Sequence, residues 1–299
     1  MSSDRPLISV ITLNWNTTNV TCAFLRSIGE QNTYPNIEVI VVDNASREDP
    51  SDACREAFPA VRMVRNATNL GFSAGNNAGL RIARGDYFFI VNNDTEFTPG
   101  LLEGLLGVFL QYPDAGIVCP KFHYFFEKGT IEYAGYGRLN LLTGRNGMIG
   151  HKEKDLGQYD ELRETHFAHG GGMLVSREVV DRVGLMPEQF FLYYEELDWS
   201  EQMKRAGYKI YYQPSSLIYH KESMTTGKSS PLKTFYLTRN RILFMRRNVS
   251  GPAFVVFAVY FFCFTMPKNS LGYLVRGQRE HLRSFWKGIF WQFNKTITV

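Results

Sequence analysis

The stretch YFFIVNNDTEFTPG, Tyr87 to Gly100, decides how the rest of the chain is read. Its first five residues are a short apolar run of β-formers, which predicts a strand covered on both faces. Asn92, Asn93 and Asp94 then stand where that strand should end. In an open α/β sheet, ligands bind outside the carboxyl ends of the strands. Asp94 is therefore placed to hold a divalent metal, Mn2+ or Mg2+, against a diphosphate. Taken alone, the same triplet also fits a polar turn, and its neighbours have to separate the two readings.

Working outward to the N-terminus, LISVITL (7–13) reads as a strand, and Phe24, Leu25 and Ile28 in CAFLRSIGEQ have helical spacing. IEVIVVD (37–43) is a second buried strand, SDACREAF a helix, VRMVRN a strand, and AGNNAGLRIAR a helix ending at Gly85. This alternation predicts a parallel sheet with helices on both faces. Toward the C-terminus, LLEGLLGVFLQYP reads as a helix and AGIVCPKF as a strand. From about Phe122 to His169 the pattern fades into Gly- and Tyr-rich sequence, expected to form a less regular acceptor side. GGMLVSREVVDRVG gives a strand and a helix capped by Ser176, and YKIYYQP gives a late strand before His220. There is no internal repeat or low-complexity tract.

The 299 residues, 44% of them hydrophobic, suffice for one large domain or a domain with an appendage. A net charge of +4 is too mild to argue for nucleic acid as a partner, but the C-terminal third is basic, which hints at a membrane surface. Cys22, Cys54, Cys119 and Cys263 lie far apart without a CxxC, so neither a disulfide frame nor a zinc site is expected and a reducing cytosol fits. MSSDRPLISVITLNW lacks the charged and apolar regions of a signal peptide, and secretion is not expected.

Three further constellations bear on chemistry. Thr12 and Asn14 end the first strand and Asp43 ends the second, so both sets of polar groups emerge at one sheet edge, where a base and ribose can be held; Asp43 alone also suits a turn cap. NLGFSAGNNAG spaces Gly71, Gly75 and Gly79 four apart. This is neither GxGxxG nor a P-loop, so hydride transfer and P-loop phosphoryl transfer lose support, leaving a turn near a nucleotide or close helix packing. In FFLYYEELDWSEQMKRAG, Glu195, Glu196 and Asp198 stand among aromatics, which desolvate carboxyls and raise them toward the range of a general base. Acids complementing a helix dipole are the plainer alternative. His220 can offer an imidazole to a metal, although a lone histidine is more often structural.

The ordered set VITLNWN, VVDNAS, NLGFSAGNNAG, VNND, GGGMLVSRE, FFLYYEELDWS and IYH resembles the inverting family 2 glycosyltransferases, in their bacterial rhamnosyltransferase-like branch, over about residues 7–245. The resemblance implies an α/β GT-A fold with a mostly parallel, Rossmann-like sheet flanked by helices. It also implies a UDP- or dTDP-sugar donor, a divalent metal, and inversion by direct displacement. Under it, Thr12, Asn14 and Asp43 match the strand ends that hold base and ribose, and Asn69, Gly71 and Asn77 match the NxGFxxGxN segment beside the nucleotide. Asp94 matches the metal-binding last acid of DxD, and His220 a late histidine that completes the metal shell. Glu196 matches the acceptor-deprotonating acid of the ED-type motif, with Glu195 its neighbour. Two departures stand out: Asn92 replaces the first Asp of DxD, a contact to the donor that leaves UDP and dTDP both open, and Glu196 stands where Asp is frequent.

PAFVVFAVYFFCFTMP (252–267) is apolar for about 15 positions, short of the roughly 20 that cross a bilayer, so it is expected to lie in the interface. Basic and aromatic residues flank it as in helices resting on anionic headgroups; a helix pair packed on the catalytic domain or a homodimer contact is the alternative. The expected organisation is a nucleotide-sugar half at 1–120, an acceptor and base half at 121–245, and a membrane-associating helical extension at 246–299. The expected activity moves rhamnose or another hexose to a glycan or lipid-linked acceptor in cell-surface polysaccharide synthesis. The expected location is cytoplasmic, peripheral on the inner face of the cell membrane. A nucleotidyltransferase would need a Gly-rich, basic loop at the first strand, which TLNWNTTN lacks. A non-catalytic scaffold would have lost the acids at 94 and 196, and both are present.

Overall fold

The structure is a computed structural model that describes residues 5–221 and 230–293. The apolar runs become strands β1 (Ile8–Asn14), β2 (Ile37–Asp43), β3 (Arg62–Arg65) and β4 (Tyr87–Val91), all parallel, with β1 paired to both β2 and β4. Helices α1 (Thr18–Gln31), α2 (Ser51–Ala57) and α3 (Gly71–Ile82) connect them. Parallel neighbours need such crossovers, which is why strand and helix alternate here. Phe24, Leu25 and Ile28 of α1 are buried, as the spacing predicts. Gly79 lets α3 settle onto β1: a Cβ there would stand 2.5 Å from the Ile11 side chain.

Beyond β4 the sheet changes character. β5 (Thr95–Glu96), α4 (Leu101–Gln111), β6 (Ala115–Tyr124), β7 (Ile131–Tyr133), β8 (Arg163–Glu164), β9 (Gly172–Ser176), α5 (Arg177–Val183), α6 (Glu195–Arg205) and β10 (Lys209–His220) complete the sheet, with the order β3-β2-β1-β4-β9-β6-β10-β5. β9 lies antiparallel between β4 and β6, while β10 is parallel to β6 and antiparallel to β5. The sheet is therefore mixed, wholly parallel only across β3-β2-β1-β4. Antiparallel pairs need no crossover helix, so the alternation that signals a parallel sheet disappears from the sequence. One sheet runs through both halves of the chain, and β6 itself spans position 120.

Helices α7 (Pro231–Asn248), α8 (Gly251–Tyr260), α9 (Met266–Val275) and α10 (Arg279–Phe290) follow. They form a second core in which Phe244, Phe257, Phe261 and Phe285 pack with Phe167 and Phe190 of the preceding domain. The expectation of an apolar run too short to cross a bilayer needs correction. A wide π-type turn at Phe261–Thr265 joins α8 to α9, giving one 25-residue helix, Gly251–Val275, long and apolar enough to cross a membrane. Pro267 does not end it because the residue four positions earlier, Cys263, lies in that turn, where the backbone bonding is already displaced. Its outer face exposes Val255, Val256, Val259, Phe264, Leu271 and Leu274.

Candidate active site

A cavity of about 440 Å³ opens at the carboxyl ends of β1 and β4. Asp94, just past β4, and His220, the last residue of β10, meet there although 126 positions apart, because β5 pairs with the end of β10. His220 Nε2 lies 3.2 Å from Asp94 Oδ1, and its Nδ1 lies 2.7 and 2.9 Å from the carboxylate oxygens of Glu132 on β7. All three are buried. Burial disfavours the imidazolium, yet hydrogen bonds to the two carboxylates outweigh it and hold His220 up at about 10. The pocket thus favours positive charge between Asp94 and His220. Among the described residues no three His, Cys, Asp or Glu side chains gather as a metal cage. Asp94 can offer a carboxylate oxygen and His220, once its proton is displaced, an imidazole nitrogen whose ring is fixed from behind by a second carboxylate, with the remaining coordination left to oxygen ligands from substrate and water.

The wall on this side is built from loops and the start of α3. Asn92 and Asp94 line the cavity. Asn93, also at the cavity, donates to the hydroxyls of Thr17 and Thr21, tying the turn to α1. Asn69 accepts a hydrogen bond from the Gly71 backbone. Gly71 has φ +78, and a Cβ there would lie 2.3 Å from the Phe191 carbonyl, so glycine is required by conformation and by space together. Trp15, absent from the sequence reading, exposes its ring at the cavity edge, a flat apolar surface on which a base can stack.

Four residues expected at the nucleotide stand behind this wall. Asn14 donates to Asp43, and Asp43 also accepts from the Ser46 backbone and pairs with Arg65 at 3.3 Å. Asn77 is committed to the Met186 backbone and Glu188, fastening α3 to the loop before the acids. Thr12 is buried, its hydroxyl without a hydrogen-bond partner among the described residues. Thus Asn69, Gly71, Asn92, Asp94, Glu195, Glu196 and His220 share the cavity, and Thr12, Asn14, Asp43 and Asn77 do not line it.

The opposite wall carries the acids, at the start of α6. The approach to them is strained: Phe191, Tyr193 and Tyr194 have φ of +65, +69 and +74. Such non-glycine residues cost about 1–3 kcal/mol each and persist only where their surroundings hold them. The holder is α7. Fully buried Asn240 shares its two amide hydrogens among the carbonyls of Phe190, Leu192 and Tyr193, at 2.9, 2.7 and 2.8 Å. Arg239 donates to the carbonyls of Gln189 and Phe190, and Tyr236 stacks on Phe191 at 4.9 Å. Asp198 is fastened to α7 through Arg247 and Asn248 and takes a structural place.

Glu195 is 3% exposed, with one carboxylate oxygen lacking a hydrogen-bond partner among the described residues, and burial followed by the charge of Glu196 pushes it well above the usual carboxyl range. Glu196, half-buried against Gly170, is lifted by burial to about 7, against the pull of backbone amides at the helix start. A carboxyl poised there accepts a proton near neutrality. His169 completes this side. It packs at a tilt against Phe122 and Tyr133, accepts from the Gly171 backbone at Nδ1, and is driven down to about 3 by burial and then by the charge of His220. Neither His169 nor Glu132 was singled out from sequence. His169 adjoins the GGG motif and was within reach, whereas Glu132 sits in the irregular region and gave no signal.

The arrangement offers a cation-favouring carboxylate and imidazole on one wall and a raised carboxyl pair on the other. Against this geometry, the sequence model of Glycosyl transferase family 2 matches residues 9–184. Over 257 residues the chain is 29% identical to the Sinorhizobium fredii protein y4gI, spanning 81% of this chain but only 27% of that one. It is 25% identical to an N-acetylglucosaminyl-diphospho-decaprenol L-rhamnosyltransferase of Mycobacterium tuberculosis, over 76% of this chain and 80% of the relative. Among solved structures, the fold is similar to a mannosyltransferase from Pyrobaculum calidifontis in complex with GDP-Man and Mn2+. That match has a TM-score of 0.61 and 16% identity over 99% of this chain and 89% of the other. S. aureus TarS 1–349 with UDP-GlcNAc gives a TM-score of 0.60 and 15% identity over 95% and 80%.

Proposed function

Because the chain belongs to Glycosyl transferase family 2, a family of transferase enzymes, we propose that it moves rhamnose or another hexose from a UDP- or dTDP-sugar to a hydroxyl of a glycan or lipid-linked acceptor, with inversion. The observation that carries this reading is the confrontation, across one cavity, of Asp94 and His220 with Glu195 and Glu196. Asn69, Gly71 and Asn92 border the nucleotide, with Trp15 under the base and Thr12, Asn14, Asp43 and Asn77 stiffening the wall from behind. Asp94 and His220 hold a divalent cation, Mn2+ or Mg2+, which when bound offsets negative charge on a diphosphate.

Glu196 takes the proton of the acceptor hydroxyl while its oxygen bonds to the anomeric carbon and the bond to the diphosphate breaks. Attack on the face opposite the leaving group inverts the centre. Protonated Glu195 behind it spares the site a second adjacent negative charge. The exposed apolar face of helix Gly251–Val275 and the basic residues around it support a place on the cytoplasmic face of an anionic membrane, within cell-surface polysaccharide synthesis.

A screen of UDP- and dTDP-sugars for nucleoside diphosphate release, with and without Mn2+ or Mg2+, tests the reading. We expect release with at least one donor, dependent on the metal and on Glu196. Donor binding without any transfer, across acceptors that include polyprenyl diphosphate sugars, would overturn it in favour of a binding scaffold.

A further inference from the structure

A second cavity, of about 210 Å³, lies between the loop carrying Arg145, the middle of α7, and the inner edge of α8–α10. It is smaller than the roughly 300–1,000 Å³ of a cofactor pocket and suits a small group. Arg145 and Arg241 line it together with Thr234, Thr238, Asn269 and Tyr273, and no carboxylate does. Arg241 is 6% exposed and lies over the rings of Phe257 and Phe261; its Nε is buried without an acceptor. Neither arginine side chain forms a hydrogen bond or ion pair among the described residues. Burial, followed by the charge of Arg145, lowers Arg241 to about 10, as expected of two cations facing each other.

An isolated buried charge is costly and is ordinarily paired, so buried Arg241, converging with exposed Arg145 on a cavity that no acid among the described residues lines, marks the place of an external anion. Their planar forks match phosphate oxygens bidentately. Position narrows the choice of phosphate. The donor diphosphate is assigned to the Asp94 side of the first cavity. Tyr194, whose hydroxyl donates to the Gly144 carbonyl, lines the second cavity, and the next residues, Glu195 and Glu196, line the first. The helix that closes the second cavity with Phe261, Asn269 and Tyr273 is the one whose other face is exposed and apolar, a single helix diameter away.

Resting on the glycosyltransferase reading, we propose that Arg145 and Arg241 bind the diphosphate of a lipid-linked acceptor, with its chain along the outer face of α8–α9 and its sugar directed to Glu196.

The full chain is titrated with inorganic pyrophosphate in EDTA, so that no divalent ion carries the probe into the donor pocket. Arg145→Gln and Arg241→Gln are each expected to weaken binding about tenfold or more, Arg241→Lys less, and Asp94→Ala not at all. Phosphatidylcholine vesicles doped with a polyprenyl diphosphate should float the wild type, and those arginine variants should lose that flotation. Equal pyrophosphate affinity in wild type and Arg145→Gln overturns the site, and because Arg145 is exposed that outcome stands even if Arg241→Gln fails to fold. Equal, arginine-dependent flotation on phosphatidylglycerol vesicles overturns the acceptor assignment in favour of a phospholipid headgroup. Neither measurement uses turnover, so failure of the transferase reading would appear separately, in the donor screen.

Discussion

The two walls of the active cavity are held by different means. On the donor side, Asn92 and Asp94 follow directly from β4, a buried strand held between parallel β1 and antiparallel β9, and neither has a positive φ. On the base side, Glu195 and Glu196 follow three left-handed aromatic residues pinned from outside by Asn240 and Arg239 of α7, a helix that starts about 35 residues later. A sheet edge presents a carboxylate through its own register. A loop must be clamped to do the same, and the clamp belongs to the segment that sequence reading treated mainly as the end of the catalytic unit and the start of an anchor.

The largest expected effect removes the proposed base without touching either support. Glu196→Gln should lower kcat by about 10²–10⁴-fold with donor affinity kept, since the amide has the shape but cannot accept the proton. Glu195→Gln should cost less. Steady-state kinetics with separate donor titration checks this, and the reverse order of severity would exchange the two roles.

On the donor wall, Asp94→Ala and His220→Ala should remove metal-dependent UDP or dTDP affinity in calorimetry. Glu132→Gln, which only orients the imidazole, should cost about 10–100-fold. If Glu132→Gln is silent, the fixed ring is not what prepares that wall.

Asn240→Ala tests the clamp. Orphaning carbonyls of a strained loop should cost about 1–3 kcal/mol in denaturant unfolding, and it should lower kcat while leaving metal-dependent donor affinity near that of wild type. Equal damage to both walls would erase the distinction between them.

The smallest effect is the pH dependence. Glu196 must be ionised to act, so kcat should rise as pH climbs through about 7 and flatten above it. Because its folded pKa is raised, its contribution to stability is fully present below the ordinary carboxyl pKa of about 4.5 and is lost as pH rises through about 7. Glu196→Gln should weaken that decline in melting temperature between pH 5 and 8. An unchanged decline would place the perturbed carboxyl elsewhere, Glu195 first.

Sequence made part of the Asp94 wall legible where its determinants are local, although Thr12, Asn14, Asp43 and Asn77, expected at the nucleotide, stand behind it. Asp94 ends an apolar run, Gly71 and Gly79 mark close approaches, and strand and helix alternate as parallel pairing requires. His220 was legible as the end of a late strand, but Glu132 was not, since nothing in a three-residue strand within irregular sequence announces a carboxylate aimed at an imidazole 88 positions away. The carboxyl pair was visible as acids among aromatics. The positive φ values before it were not, because Phe and Tyr are residues from which that conformation is not expected. Length counting along the C-terminal apolar run failed at Pro267, where a displaced turn absorbs the proline.

The residues by themselves determined the parallel half of the sheet, the strand-end carboxylate and the presence of an acid pair among aromatics, for these follow from periodicity and side-chain chemistry within a dozen positions. Tertiary structure alone decided that β9 enters antiparallel, that Glu132 orients His220, that Asn240 holds the loop before Glu195, and that Arg145 and Arg241 converge without a counter-ion among the described residues. Each of these depends on groups far apart in sequence being brought within hydrogen-bond or charge range. Such proximity is set by how the packed elements share one core, and no local pattern along the chain encodes it.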